Sequence, residues 1–131
     1  MFRFNLKTTL VVDAVTCIGL FLLGVFATDT IAEILGLPVG IVAVAGWIGL
    51  PSASLMLFAA MQKPPSRHLA NLIAIGNLGW VVASLAVLMA FSSQMTGVGI
   101  LLVVIQALIV LDLAIFEAKG AASLPKPVAV Y

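Results

Sequence analysis

Hydrophobic residues run in four long blocks, Thr8 to Ala27, Val39 to Met61, Leu69 to Phe91 and Gly97 to Ala118, and polar residues crowd the short stretches between them. A hydrocarbon core about 30 Å thick is crossed by about 20 apolar residues rising about 1.5 Å each, so every block predicts one transmembrane helix. Barrel strands would instead alternate in hydrophobicity over about ten residues. The runs Val81-Val-Ala-Ser-Leu-Ala-Val-Leu-Met and Leu101-Leu-Val-Val-Ile do not alternate. The expected fold class is all-α, a four-helix transmembrane bundle forming a single integral membrane domain over residues 1–131.

The connections carry their own punctuation. In the first, Thr30 and Glu33 have capping-box spacing and Gly36 supplies a stop, predicting a short interfacial helix between the first two spans, with Asp29 and Glu33 toward water. The second, Gln62 to His68, holds Pro64 and Pro65, which end any helix. The third, Ser92 to Thr96, is uncharged and tight. The halves share neither loop chemistry nor polar spacing, so an inverted-repeat transporter core finds no support.

Charge then orients the bundle. With four spans, all six basic residues, Arg3, Lys7, Lys63, Arg67, Lys119 and Lys126, fall on one side. The positive-inside rule places both termini and the Pro-Pro loop in the cytoplasm, which predicts a multi-pass protein of the bacterial inner membrane. Arg3, Lys7 and the apolar run after them also resemble a secretory signal, but the run exceeds the usual length and Asp13 interrupts it. An uncleaved anchor is expected.

Composition narrows the function classes. The 131 residues are 63% hydrophobic and 8% charged, with net charge +1 and a single cysteine, Cys17. Too few charges are present to cover a soluble body of this size, no basic surface is available for nucleic acid, and no intrachain disulfide can form. The lipid bilayer is the expected surrounding, with a homo-oligomer or another membrane protein as the expected partner. Zinc-ligand sets, paired haem histidines, P-loops and dinucleotide fingerprints are absent from the sequence, so no metal, no cofactor and no enzymatic activity are expected.

Candidate chemistry lies in polar residues inside the spans, where a carboxylate costs at least about 2.5–3.5 kcal/mol at the helix centre. Asp13 lies six residues past Lys7, roughly 9 Å along the helix, and Asp112 seven residues before Lys119, roughly 10 Å. Asn71 comes from the third span at the same end. These three are the candidates for an ion- or proton-binding layer, since two carboxyls sharing a site can hold one proton or cation between them. The competing expectation is that each Asp simply reaches hydrated interface. Glu117, nearer the end of its span, needs no special account on this reading.

Asn77 and Ser84 in the third span and Gln106 in the fourth read first as interhelical hydrogen-bonding positions. Trp47, Pro51, Asn77, Trp80 and Gln106 together form the candidate pocket for a lipophilic ligand, with Pro51 expected to kink the second span and Ser52 and Ser54 to satisfy freed groups. Thr9, Asp13, Thr16 and Gly24 suggest a packed face of the first span. Gly46, Gly49, Gly76 and Gly79 permit close helix approach, and Met56, Met61 and Met89 read as packing residues.

The segments Leu35-Gly36-Leu37-Pro38, Asn77-x-x-Trp80-x-x-x-Ser84 and Gln106-Ala107-x-x-Val110 resemble small four-span bacterial inner-membrane proteins that carry no assigned function. That resemblance implies the four-span fold and no activity. Small multidrug resistance transporters offer an architectural comparison, because they too are short four-span proteins with a carboxylate in the first span. Asp13 stands in place of their glutamate, their surrounding motif is missing, and Asp112 is an additional carboxylate. The leading expectation is a non-enzymatic accessory or assembly subunit acting through helix contacts. A small proton- or cation-coupled transporter or channel using Asp13 and Asp112 is the alternative, and a binder of a lipophilic ligand the third.

Overall fold

The computed structural model describes residues 5–124. Arg3 and Lys126, two of the six charges that orient the bundle, lie outside the described residues. Five helices follow in order: α1 (Leu6–Phe26), α2 (Thr28–Leu35), α3 (Val39–Met61), α4 (Arg67–Phe91) and α5 (Gly97–Ala122). The four long helices are long and apolar enough to cross a membrane, and α2 is the short helix expected between the first two spans. The chain is a small polytopic membrane protein whose spans contact the lipid bilayer.

Helix ends follow their caps. Asn5 Oδ1 accepts from Thr8 N at 2.7 Å, Ser66 Oγ accepts from Leu69 N at 3.3 Å, and Thr96 Oγ1 accepts from Gly99 N at 2.8 Å. These side chains satisfy backbone donors that a first helical turn leaves unpaired, so α1 and α4 begin two residues earlier than hydropathy alone places them. The expected capping box does not form. Thr30 lies inside α2, which begins at Thr28, and the Thr28 hydroxyl donates back to the carbonyls of Gly24 and Val25 at 2.6 and 3.0 Å. Gly36 does end α2, in the left-handed conformation at φ 73° that favours glycine.

The four long helices form a square in the order α3, α1, α5, α4, with α1 and α4 on one diagonal and α3 and α5 on the other. Two close pairs, α1 with α3 and α4 with α5, are joined through α1 and α5 and more sparingly through α3 and α4. Small residues set the first pair's closeness. A Cβ on Gly46 would lie 2.9 Å from Gly24 Cα, and one on Gly49 would lie 2.6 Å from the Cys17 carbonyl oxygen. Gly76 and Gly79 serve no such contact, since nothing lies within 4 Å of a Cβ built on either. The expectation of close approach therefore holds for α3 and fails for α4, whose two glycines turn outward.

One end of the square carries the Lys63–Arg67 connection and is called here the basic end. The other carries α2. At the α2 end, Thr96 locks the α4–α5 turn onto α2: its N–H donates to the Leu35 carbonyl at 3.1 Å and its hydroxyl to the Ile34 carbonyl at 2.6 Å. At the basic end, Leu10, Ala14, Met56, Ala59, Ala60 and Ile73 form the main hydrophobic cluster, with Leu6 and Leu69 packed against it.

Several packing expectations are corrected. Thr16 is exposed and bonds the Val12 carbonyl of its own helix at 2.9 Å. Among the methionines, Met56 is core, whereas Met61 and Met89 project outward. Helix α3 continues through Pro51, and the hydroxyls of Ser52 and Ser54 bond the Ile48 and Leu50 carbonyls rather than the Trp47 carbonyl that Pro51 leaves without its usual donor.

Candidate functional site: a carboxyl pair bridged by Asn77

Three polar side chains from three helices meet inside the bundle. Asn77 Nδ2, on α4, donates to Asp13 Oδ2 on α1 at 2.6 Å and to Glu117 Oε1 on α5 at 2.6 Å. One amide nitrogen thus spends both of its hydrogens on two carboxyls and reaches across the α1–α4 diagonal to do so. Glu117 is 0% exposed, Asp13 2% and Asn77 7%. The two carboxyls therefore accept from the same nitrogen. Glu117 Oε2 is buried without a partner among the described residues. The α3 side of the site is closed by sulfur: Cys17 Sγ lies 3.9 Å from Asp13 Oδ1 and 3.8 Å from Met56 Sδ.

Helix phase decides which carboxyl joins Asp13. The buried face of α5 runs through Gly99, Val103, Ala107, Val110, Ala114, Glu117 and Ala121 in steps of three and four residues, with Leu113 beside it. Asp112 stands five residues before Glu117, about 140° around the helix at 3.6 residues per turn. It is exposed, and its carboxyl hydrogen-bonds no described residue. The expected Asp13–Asp112 layer is therefore replaced by an Asp13–Glu117 pair. Asn71 fails for the same reason, since it lies six residues before Asn77, about 120° off the buried stripe of Ala70, Ile73, Ala74, Asn77 and Ser84. Glu117, set aside by its nearness to the helix end, is a central member. The sequence signal that could have found it was its place on a stripe of small residues.

The candidate ligand pocket separates into three places. Trp80 Nε1 donates to Gln106 Oε1 at 2.8 Å, and Gln106 Nε2 donates to Ser84 Oγ at 3.0 Å and to the Val103 carbonyl at 2.9 Å. Ser84 in turn bonds the Trp80 carbonyl at 2.8 Å. This second polar layer ties α4 to α5 and lies about 10 Å from the first, seven residues further along α4. Trp47 is 56% exposed and meets the Phe21 ring edge to face at 5.5 Å, while Pro51 is on the outer surface. Asn77 belongs to the carboxyl site. Residues spread over an outer surface and two inner layers do not line one pocket.

Chemically, the carboxyl site can hold a proton. Two ionised carboxylates on one amide nitrogen, shielded from water, repel each other, and one proton between them relieves that repulsion and gives the pair a donor. Among the described residues no group of three His, Cys, Asp or Glu side chains is arranged to hold a metal ion. The chain matches no known protein family, no curated protein and no solved structure.

Proposed function

We propose that the protein is a small proton-coupled transporter or channel of the bacterial inner membrane, with both termini cytoplasmic, in which Asp13 and Glu117 take up and release one proton between them. The observation that carries this reading is the double donation from Asn77 to two buried carboxyls. A group that served only to fasten helices would need neither charge, because an amide pair does so at lower cost in lipid. The hydrophobic cluster around Leu10 and Ile73 lies between the pair and the basic end, so proton exchange with that side requires these helices to part. Asn77 bridges α1 and α5 from α4, and a change in charge on either carboxyl alters what holds α4 in place. The proton thereby acquires a mechanical consequence.

Infrared spectroscopy of the full chain in liposomes tests this reading. A protonated-carboxyl band that changes with pH is expected in the wild type, absent from both Asp13→Asn and Glu117→Gln and retained in Asp112→Asn. Dye-loaded liposomes should show proton flux that the same two variants abolish. A wild-type band that survives both substitutions would overturn the proposal.

A second reading, the non-enzymatic accessory or assembly subunit, is supported by a different observation: the carboxyl of Asp112 faces outward from the bundle within a span. Purification in mild detergent tests it, and a chain that stays monomeric with no stable companion counts against it.

A further inference from the structure

Asp112 is the ionisable group that the carboxyl site leaves unused. It is exposed on the outer surface of α5, ten residues before the helix ends at Ala122, or about 15 Å along the axis. Its side chain forms no hydrogen bond or ion pair with any described residue, Lys7 and Lys119 included. A carboxylate that faces lipid within a span is costly, most of all near the helix centre, and a cation that covers it offsets that cost.

The surface around it has a definite shape. Ile109, Asp112, Leu113 and Phe116 stand at positions i, i+3, i+4 and i+7 of α5, and Thr9 and Val12 of α1 form the opposite wall of a recess of about 140 Å³. Four residues at that spacing make the hole into which a side chain from a facing helix inserts. One water occupies about 30 Å³ of liquid, so the recess admits a long unbranched side chain. All but two of its six lining residues are apolar, and one of those two is the carboxylate.

We propose that this recess seats a Lys or Arg side chain from a transmembrane helix of a partner membrane protein, with Asp112 as the counter-ion. The spacing of the hole selects a helix, the carboxylate selects a cation, and the apolar wall accepts the methylene stem of a basic side chain. The described basic residues of a second copy are poorly placed, because Lys7, Arg67 and Lys119 stand in first or last turns and Lys63 in a connection. This proposal rests on the subunit reading and is independent of the proton site. A companion that still co-purifies with Asp112→Asn would leave that reading standing while removing this one.

The test places full-length protein in phosphatidylcholine vesicles with a fluorescent acceptor-labelled Leu/Ala transmembrane peptide carrying one Lys at the depth of Asp112, or Leu at that position. Energy transfer should show the Lys peptide binding about ten-fold more tightly than the Leu peptide. Asp112→Asn should erase the difference, Asp112→Glu should retain part of it, and neither should change the infrared band of the Asp13–Glu117 pair. Equal binding of the two peptides overturns the proposal, as does a preference for Lys that Asp112→Asn leaves intact. Self-association of the protein that depends on Asp112 reassigns the recess to a second copy. Binding of dodecylamine that depends on Asp112, without a peptide preference, reassigns it to a small amphiphilic amine.

Discussion

At the residue scale, Asn77 has the most concentrated role in the molecule. Its amide supplies the only hydrogen bonds that Asp13 Oδ2 and Glu117 Oε1 receive from described residues at hydrogen-bonding nitrogen or oxygen distances. A single interhelical hydrogen bond in a membrane protein contributes on average only about 0.6 kcal/mol, because the separated helices find other partners in the membrane. Removing the donor from two buried carboxyls belongs to a different class, because each acceptor left unsatisfied in the interior costs about 1–3 kcal/mol, and more when it is charged. Asn77→Ala is therefore expected to lower the free energy of unfolding in detergent by about 3 kcal/mol. Replacing Asp13, Asn77 and Glu117 together by Leu should cost far less than that, since no polar group is then stranded. Reversible unfolding in mixed micelles measures both, and a loss below about 1 kcal/mol for Asn77→Ala would show that the amide holds little of the structure.

At the element scale, the stripes of small residues decide how the helices pair. Val42, Gly46, Gly49, Ala53, Met56 and Ala60 on α3 advance in steps of three and four, as do the buried residues of α5. That spacing keeps one face of a helix toward its neighbour, and glycine on that face lets the backbones approach. Gly46→Ala is expected to destabilise by about 1–3 kcal/mol, because the added methyl meets backbone rather than a side chain that can turn aside. Gly79→Ala should be neutral, or stabilising by up to about 1 kcal/mol through helix propensity, since the space beside it is open. The same unfolding assay gives both values. Equal losses at the two positions would contradict the packing of α1 on α3. Glycine identity alone carried no information about this difference, because Gly46 and Gly79 are both flanked by apolar residues and differ only in the direction they face.

At the scale of the whole molecule, the charges describe an object with two unlike ends. Lys63 and Arg67 mark one, with Lys7 in the first turn of α1 and Lys119 in the last turn of α5, while Asp29 and Glu33 on the exposed side of α2 mark the other. In a Cys17→Ala background, Ser66→Cys should react with a membrane-impermeant maleimide only in inside-out vesicles, and Asp29→Cys only in intact spheroplasts. Labelling of both from one side would refute the four-span topology, and an exchange of sides would reverse the orientation.

The hydropathy pattern alone determined that the chain crosses the membrane four times as helices, because lipid offers no partner for a free backbone N–H or C=O and leaves few alternatives to a helix of about 20 residues. Local sequence chemistry also placed α2 and its Gly36 stop, although the Thr30–Glu33 capping box that suggested α2 does not form. Which face of each helix turns inward is not legible in its hydropathy, and the tertiary structure decided it. In water, burial separates an apolar face from a polar one and the periodicity can be read off; lipid is as apolar as the protein interior, so helices that are hydrophobic all round carry almost no such signal. Asp112 and Glu117 lie in the same span with nothing in their hydropathy to distinguish them. The packing of small residues on α5 turns Glu117 toward Asp13 and Asn77 and leaves Asp112 facing outward.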